Sequence, residues 1–372
     1  SASKEFKDSY EVFAVEPIAT FNEEDAVKDY SSKKFDYLKT SKDIINEISF
    51  GWNLGNTFDA TCGSEQNQGL TTETCWGNPK TSIAMLTTLI ENGIKAIRIP
   101  ISWHNHLIDD KYTIDPEWMY RVKTVVDWAT DKGLYVIINT HHDQAGNTKG
   151  SIKYGSGYYP LWKDAAESEK YLYNVWKQIT LAFNNGYDHH LIFEGLNEPR
   201  IAGLPNEWWY DPNDENCKEA AKVLNEYNRL ILKTIRDSKG NNQARFVMST
   251  ALAASYSSTA SDDFIIPEDH IDKTALPENH AITNRIIVSV HMYTPYDLVM
   301  NPDMNIATFT GAHAEELYVN FKTLYQKYVL KGYHVIIGEM GIVNKSNLPQ
   351  RIKWAKYYIS LCRQFQFAAI IW

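Results

Sequence analysis

The sequence predicts a single-domain (β/α)8 barrel, a TIM barrel, with its active site at the C-terminal ends of the strands. Three observations lead to this fold class. Eight short apolar segments alternate with helical segments, several helices end at a glycine shortly before the next strand, and six of the eight strands end in polar or aromatic residues. Short apolar strands that alternate with helices are typical of a parallel sheet buried on both faces. Polar strand ends indicate a functional rim, because α/β barrels carry their chemistry there.

The individual elements can be assigned in order along the chain. A helix from Thr40 or Ser41 to Ile48 leads into the barrel, because a hydroxyl can cap its first turn and its isoleucines share one face. Strands are predicted at Ser49–Asn53, Ala96–Ile99, Tyr135–Asn139, Leu191–Leu196, Arg245–Ser249, Ile286–Val290, Val335–Gly338 and Phe367–Trp372. Helices are predicted at Ser82–Asn92, Pro116–Lys132, Glu169–Asn184, Glu219–Ser238, Glu315–Lys331 and Pro349–Gln364.

The two ends of the chain and one internal segment depart from this regular alternation. Residues 1–40 form a polar N-terminal extension that is expected to pack on the barrel of residues 41–372, with a short helix near Glu23–Tyr30. The segment Ser255–His280 is predicted to be a long loop where a fifth helix would be expected. The chain ends at Trp372, on the eighth strand, so we expect the sequence to be incomplete at this end.

Composition excludes several classes of partner. The net charge of −9 argues against nucleic acid and against an anionic membrane surface. No run of 18 apolar residues is present, so no transmembrane segment is predicted. Ser1–Lys4 lacks the charged and apolar parts of a signal peptide, which we therefore expect to have been removed from a secreted, extracellular protein. A monomer is the default expectation, and a binding or docking module outside this sequence stays open.

The four cysteines form no zinc or redox motif. Cys62 and Cys75 lie in one loop rich in glycine and threonine, at a spacing that a disulfide could close, whereas Cys217 and Cys362 fall in helical segments. A bridge between Cys62 and Cys75 would suit an extracellular protein. Four free thiols remain the alternative.

Aromatic residues are abundant, with 11 Trp and 23 Tyr, and several lie in polar loops. Examples are Trp76 in the loop Cys75–Asn78, Trp162 after Tyr158–Leu161, and the pair Trp208 and Trp209. Flat apolar faces in loops suit flat ligands such as sugar rings. For Trp208 and Trp209, packing within the loop is as good an explanation as substrate binding.

The segment Leu191–Arg200 carries the strongest single signal. Its apolar start reads as a buried strand that must stop at Pro199, because proline cannot donate a hydrogen bond to the sheet. Asn197 and Glu198 are therefore predicted to be the last residues of the fourth strand, at its C-terminal rim. Because successive side chains alternate between the two faces of a strand, Glu194, Leu196 and Glu198 are expected to share one face.

The seventh strand delivers a second carboxylate, Glu339, to the same rim. Two carboxylates on strands of one barrel can protonate the leaving oxygen of a glycosidic bond and attack its anomeric carbon. Arg98 on the second strand would keep one of them ionised. His291 and Tyr293 at the end of the sixth strand could orient the pair, and the Tyr293 hydroxyl is suited to donate to the nucleophile. The pKa of Glu198, as the acid, is expected to be raised by partial burial and by Glu339.

The chain resembles glycoside hydrolase family 5, the large family of retaining cellulases, and within it the endoglucanases that also act on mixed-linkage glucan and xyloglucan. The matching stretches occur in order, at most one per strand, from about residue 50 to the end of the chain. They are Gly51–Thr57, Arg98–Pro100, Asn139–His142, Asn197–Pro199, His291–Tyr293, Gly338–Gly341 and Trp372.

The resemblance implies a role for each matched residue. Glu198 would be the general acid/base and Glu339 the nucleophile of a secreted endo-β-1,4-glucanase that needs no cofactor and no metal. Asn197 would bind the 2-hydroxyl of the sugar at the cleavage site, and Trp372 would stack beneath that sugar. The remaining residues implied around the sugars are Arg98, His141, His291 and Tyr293 in the same shell, and His142, Asn53 and Trp76 in the flanking subsites. The family continues past Trp372 with a further loop and helix.

Several alternatives stay open at this point. Glu194 is a rival acid, although its deeper position favours a buried partner of a cation such as Arg98. A metal site could use His141, His142 and Asp143 together with Glu198, His291 and Glu339. No typical ligand spacing supports it, and adjacent histidines on a strand are expected to point to opposite sides. A β-mannanase or xyloglucanase of the same family, and a non-catalytic carbohydrate-binding protein, are the alternative functions.

Overall fold

The computed structural model is a closed barrel of parallel strands, and it describes residues 20–145, 157–280, 282 and 284–372. The strands pair in chain order and the last closes against the first. The eight strands in this described part are β1 Phe50–Asn53, β2 Ala96–Ile99, β3 Tyr135–Asn139, β4 Leu191–Glu194, β5 Val247–Thr250, β6 Ile286–His291, β7 His334–Met340 and β8 Phe367–Ile371. The predicted fold class is therefore confirmed.

The first helix precedes β1, and the other helices lie between the strands in the sequence. They are α1 Ser41–Ile48, α2 Thr72–Cys75, α3 Ile83–Glu91, α4 Pro116–Asp131, α5 Trp162–Ala182, α6 Glu215–Asp237, α7 Tyr256–Ala260, α8 Tyr296–Val299, α9 Gly311–Lys327 and α10 Leu348–Phe365. The predicted cap of α1 is present, because Thr40 accepts from the Asp43 N–H while the Asp43 carboxylate accepts from the Thr40 N–H.

Some predicted boundaries were wrong. The helix expected near Glu23–Tyr30 is only a 3-10 turn at Glu23–Asp25. The segment 255–280 is not simply a loop, because it contains α7 and a 3-10 turn at Lys273–Ala275. Strand β4 ends at Glu194, so Asn197 and Glu198 follow the strand and do not belong to it. Helices α5, α6 and α9 begin four to seven residues before their predicted first residues, because sequence patterning locates helix ends poorly.

The barrel interior changes from apolar at its base to polar at its C-terminal rim. Ile137, Ile192, Ile336 and Ile370 belong to one buried apolar cluster inside the barrel. Two residues further along β3 and β4 the inward positions become Asn139 and Glu194, and on β2 Ala96 is followed in the same way by Arg98; all three of these side chains are fully buried. Because every second side chain of a strand points inward, the apolar inward positions at the base are followed two residues later by polar inward positions near the rim.

Two further features bear on the N-terminal part. The described part of the extension contacts the barrel, since the backbone N–H groups of Asp29 and Lys33 donate to the carbonyls of Leu181 and Asn185. Cys62 and Cys75 form a disulfide, with their Cα atoms 6.5 Å apart, while Cys217 and Cys362 are buried free thiols. In the described residues, no helix has both the length and the apolar character needed to cross a bilayer.

Candidate active site

Arg98 is at the centre of a hydrogen-bond network at the C-terminal rim. Its guanidinium, which is fully buried, donates to Glu194 Oε2 at 2.8 Å, Asn53 Oδ1 at 2.9 Å, Glu339 Oε1 at 3.0 Å and Asn197 Oδ1 at 2.6 Å. These acceptors come from β1, from β4 and the residues after it, and from β7. A planar guanidinium with five N–H donors is suited to join groups from several strands in one fixed geometry.

Glu194 is a buried partner of Arg98, as favoured from the sequence. Besides Arg98, its carboxylate accepts from Asn139 Nδ2 at 2.9 Å on Oε2 and from the Ser289 hydroxyl at 2.7 Å on Oε1. All donors to this carboxylate are buried protein groups, and Glu194 itself is inaccessible to solvent. Glu194 therefore balances the charge of Arg98 below the site and has no access to a substrate.

The two glutamates expected to carry the chemistry lie together at the rim. Glu339 Oε2 accepts from the Tyr293 hydroxyl at 2.9 Å, and Glu339 Oε1 accepts from Arg98. Glu198 Oε1 forms a 2.7 Å hydrogen bond with His291 Nδ1, which is also 3.7 Å from Glu339 Oε2. One carboxylate oxygen of Glu198 and one of Glu339 lie within 4.8 Å of each other. Both carboxyls can therefore contact one bond of a ligand.

The charges around this pair shift the pKa values of its members. Burial alone raises the pKa of Glu198, but the hydrogen bond to His291 and the positive charges of His291, Arg200 and Arg98 outweigh it, so the net direction is downward. Burial raises the pKa of Glu339, and so does the negative charge of Glu198. The positive charges of His291 and Arg98 lower it, but the net direction is upward. The expected rise for Glu198 is thus wrong, because the sequence did not reveal the close contact with His291.

Tyr293 and His291 hold their protons for the same electrostatic reason. Burial and the adjacent Glu339 carboxylate raise the pKa of Tyr293 far above its ordinary value, so its hydroxyl donates at any working pH. Burial lowers the pKa of His291, but Glu339 and Glu198 more than compensate and the net direction is upward. The nucleophile candidate Glu339 therefore faces a neutral hydroxyl donor, Tyr293, and a histidine whose raised pKa favours its cationic form.

The expected sharing of a face along the fourth strand holds only in part. Glu194 points into the barrel, whereas Leu196 packs in the outer apolar cluster against the helices. The alternation fails because β4 ends at Glu194 and the chain bends at Gly195. The backbone still follows its neighbours, since the N–H of Asn197 donates to the carbonyl of Thr140 at 3.1 Å. This contact brings Asn197 and Glu198 to the rim beyond the end of the strand.

His141 and His142 lie side by side, which contradicts the expectation that they point to opposite sides. Their ring centroids are 4.5 Å apart, and both rings face Asp59, with His142 Nε2 at 3.6 Å and His141 Nε2 at 4.0 Å from Asp59 Oδ2. The expectation failed because β3 ends at Asn139, before either histidine, so strand alternation does not apply. Burial and neighbouring positive groups lower the pKa of His141 well below its usual range, so this ring is neutral.

The aromatic residues expected at the site line its rim. The Trp372 ring is 40% exposed and stacks on the His141 ring, with centroids 5.8 Å apart and planes 7° from parallel. A Cβ atom at Gly55 would lie 2.6 Å from the Trp372 ring, so Gly55 allows this close approach. Trp76 is 44% exposed with its ring 5.7 Å from that of His142. Asn53 donates to the carbonyls of Gly338 and Ile371 and thereby links β1 to β7 and β8.

Two groups of residues in this region are close enough to hold a metal ion: Glu198, His291 and Glu339, and Asp59, His141 and His142. In the second group the Asn139 amide donates to Glu194 and also points at His141 Nδ1 at 3.1 Å. His141 must then carry its proton on Nε2, the atom that faces Asp59, and a protonated nitrogen is not a ligand. In the first group the guanidinium of Arg98 already occupies one oxygen of Glu339. Neither donor set suits a metal.

Every residue predicted for the site lies at this rim, and sequence reasoning overlooked three supporting residues. Asn139, Ser289 and Asp59 hold Glu194 or face the histidines, yet none was predicted to have a role. Asn139 and Ser289 could have been identified as buried polar positions on β3 and β6 that alternate with apolar ones. Trp208 and Trp209 are each 55% exposed in the loop after Glu198, and the Arg200 guanidinium carbon lies 4.0 Å from the Trp208 ring centroid.

Comparison with known proteins is consistent with this geometry. Residues 58–372 match the model of the family described as Cellulase (glycosyl hydrolase family 5). Endoglucanase 1 of Ruminococcus albus is 37% identical over 345 residues, covering 90% of this chain and 73% of that protein. Endoglucanase A of Clostridium longisporum is 36% identical over 339 residues, covering 90% of this chain but 59% of that protein. The chain thus spans only part of these relatives.

Solved structures agree in fold over nearly the whole chain. A glycoside hydrolase 5 lichenase from Caldicellulosiruptor, in complex with cellotetraose, has a TM-score of 0.81 and 35% identity, covering 92% of this chain and 88% of that one. A GH5-4 broad specificity endoglucanase from Ruminococcus champanellensis, with bound cellotriose, has a TM-score of 0.79 and 33% identity, covering 91% and 90%. At this identity and coverage the likeness extends to family as well as fold.

Proposed function

Because this chain belongs to glycosyl hydrolase family 5, we propose that it is a retaining endo-β-1,4-glucanase that cuts internal bonds of cellulose and related β-glucans. One observation carries the mechanism: a carboxylate oxygen of Glu198 lies within 4.8 Å of one of Glu339. Retaining glycosidases keep their two carboxyls about 5–5.5 Å apart, whereas inverting enzymes leave about 6.5–9.5 Å for a water molecule. The spacing therefore supports direct attack by a carboxylate.

In the first step, Glu339 attacks the anomeric carbon while Glu198 gives its proton to the leaving glucan oxygen. This step needs one proton on the pair, located on Glu198. The two donors on Glu339, Arg98 and Tyr293, favour that arrangement because they stabilise Glu339 as the anion. The two carboxyls are close enough to share this single proton as one interacting pair.

In the second step, Glu198 takes a proton from a water molecule, which attacks the glycosyl ester on Glu339 and releases the sugar. Glu339 carries no charge in this ester, and Glu198 must be ionised. The hydrogen bond with His291, which lowers the pKa of Glu198, supports this second role. One residue thus acts first as acid and then as base.

The other rim residues bind the sugar. Asn197, whose carbonyl oxygen is held by Arg98, keeps its amide N–H groups for the 2-hydroxyl, a contact that strengthens in the transition state. His141 donates through Nε2, because Asn139 occupies Nδ1. Trp372 provides an apolar face beneath the sugar. Asn53 and His142 complete the rim on the β1 and β3 sides.

The test is release of reducing ends from carboxymethylcellulose, mixed-linkage β-glucan, xyloglucan and mannan, each with and without EDTA. We expect cutting of the glucans, with a fast fall in viscosity and no effect of chelator. Cutting of mannan alone would preserve the two-glutamate mechanism and overturn the substrate. Loss of activity in EDTA would contradict the metal-free mechanism, and binding of glucan without any reducing ends would indicate a carbohydrate-binding protein.

Substitution of the two glutamates tests their roles. Glu198→Gln and Glu339→Gln should each retain glucan binding and lose turnover by about 10³-fold or more, because each removes a proton donor or a nucleophile. With a substrate whose leaving group needs no proton, azide should restore turnover in the two variants with opposite anomeric products. It attacks the glycosyl ester in place of activated water when Glu198 is replaced, and attacks the substrate in place of the carboxylate when Glu339 is replaced. Near-normal turnover of either variant would refute the assignment.

We also propose that the protein acts outside the cell as a monomer. The Cys62–Cys75 disulfide supports an oxidising location. Because the chain spans only part of several relatives, the whole protein has room for an appended binding or docking module. Light scattering of the purified chain tests the monomer, and detection of the protein in culture fluid of its native host tests export.

A further inference from the structure

Trp76 presents a flat apolar face beside the candidate active site. Its indole is 44% exposed, and its ring centroid lies 5.7 Å from that of His142, with the planes at 55°. The ring is therefore held at the rim without being covered by the protein. An exposed indole next to a polar ring is the arrangement on which the apolar face of a sugar stacks.

Two ties attach Trp76 to the same short stretch of backbone. The residue before it, Cys75, is bonded to Cys62, and the indole Nε1–H donates to the carbonyl of Thr61 at 3.1 Å. Since Thr61 directly precedes Cys62, the covalent bond and the hydrogen bond act on adjacent residues. Together they restrict both the backbone position and the plane of the ring.

The rest of this loop is anchored independently of the disulfide. In α2, the buried carboxylate of Glu73 accepts from Arg121 Nε at 2.8 Å, from Arg121 Nη2 at 2.7 Å and from the N–H of Thr81 at 2.8 Å. After Trp76, the side chain of Asn78 donates to the carbonyl of Gly55 at 2.8 Å. Loss of the disulfide would therefore loosen the end of α2 and Trp76 without detaching the loop.

We infer that the Cys62–Cys75 disulfide is a positioning element that fixes Trp76 as the platform for a glucosyl unit on the glycone side of the cleaved bond. The glycone side is assigned from the neighbours of the Trp76 loop. Asn78 in this loop donates to the carbonyl of Gly55, and Gly55 lies against Trp372, the proposed platform of the sugar that is attacked. Glu198, which serves the leaving group, comes instead from the end of β4. This inference rests on the proposed function. In this proposal the effect of the two cysteines on substrate binding passes through the position of Trp76.

The test compares the parent enzyme with Cys62→Ser/Cys75→Ser, Trp76→Ala and the triple variant on soluble β-glucan. We expect KM to rise about tenfold in the double variant and in Trp76→Ala, with kcat within about twofold of the parent, and no further rise in the triple variant. Cys217→Ala, which removes a buried thiol elsewhere, should leave KM unchanged. A general loss of structure would lower kcat and the melting temperature instead of raising KM selectively.

An unchanged KM in the double variant, or effects that add in the triple variant, would overturn the inference. Should the double variant fail to fold, the folded parent can be treated with dithiothreitol, which supplies two electrons and leaves two thiols. KM should then rise in the parent and stay constant in Trp76→Ala. A parent enzyme that cuts none of the glucans would instead refute the proposed function.

Discussion

Replacement of Glu194 by glutamine would separate the charge of this buried residue from its shape. Arg98 and Asn139 both donate to Oε2, and the Ser289 hydroxyl contacts Oε1. In Glu194→Gln the amide oxygen can take the place of Oε2, and the NH2 group can donate to the Ser289 oxygen after its hydroxyl rotates. All three hydrogen bonds can persist, and only the negative charge is lost.

The size of the effect follows from those three bonds. A hydrogen bond to a charged group contributes about 1.5–3 kcal/mol and a neutral one about 0.5–1.5 kcal/mol, so the loss is about 1 kcal/mol per bond and about 3 kcal/mol in total. For a chain of 372 residues the unfolding entropy is about 0.8 kcal/mol/K, so the melting temperature should fall by about 4 °C. The variant should still fold.

The charge change should also alter the dependence of activity on pH. Arg98 would be left with Glu339 as its one carboxylate partner, and removal of a nearby negative charge lowers the pKa of Glu339. Because Glu339 must be ionised to attack, the acid limb of kcat/KM should move to lower pH, by about one unit. Glu226→Gln is a matched control, since Glu226 is equally buried and pairs with Arg229 at 2.6 Å on the outer helix α6.

Melting curves and kcat/KM profiles of the parent and the two variants make up the assay. An unchanged acid limb in Glu194→Gln would refute the view that the charge of Glu194 influences the pKa of Glu339 through their shared partner Arg98. An equal displacement of the limb in Glu226→Gln would refute it too, because any buried charge would then have the same effect.

Two further predictions concern packing and acid stability. Gly55→Ala should reduce kcat/KM by about tenfold or more with little change in melting temperature. The new methyl group would lie 2.6 Å from the Trp372 ring and would displace that ring from its position beneath the sugar. Wild-type activity of this variant would contradict the prediction. Stability should decline as pH falls below about 6.5, because burial and His104 lower the pKa of His106 to about 3, so the unfolded chain binds a proton that the folded one does not. His106→Gln should flatten the fall of melting temperature between pH 6.5 and 4.5, and an unchanged slope would show that other groups dominate.

The sequence predicted the barrel and the identity of its rim residues better than it predicted how those residues contact one another. Strand order follows from alternation of strands and helices, but Pro199 does not set the end of the fourth strand, which ends at Glu194, before the predicted Leu196. The reasoning failed where regular geometry stops. Strand periodicity cannot describe residues beyond a strand, which is why the joint orientation of His141 and His142 was missed.

The pKa of Glu198 illustrates a second limit of sequence reasoning. A carboxyl next to another carboxyl in a partly buried site is expected to have a raised pKa, and burial does act in that direction. The hydrogen bond with His291 reverses the result, and it depends on a 2.7 Å contact between residues 93 positions apart. Motifs can show that both residues lie at the rim, but only the three-dimensional structure shows that they form a hydrogen bond with each other.

The network around Arg98 has a consequence for the entropy of the catalytic cycle. An arginine side chain that settles only when substrate arrives would lose about 2 kcal/mol of rotamer freedom at every turnover. Here the four acceptors of the guanidinium, Asn53, Glu194, Asn197 and Glu339, all belong to the protein itself, so its position does not depend on a substrate. That ordering takes place once, when the chain folds, so the reacting groups meet each new glucan already immobilised.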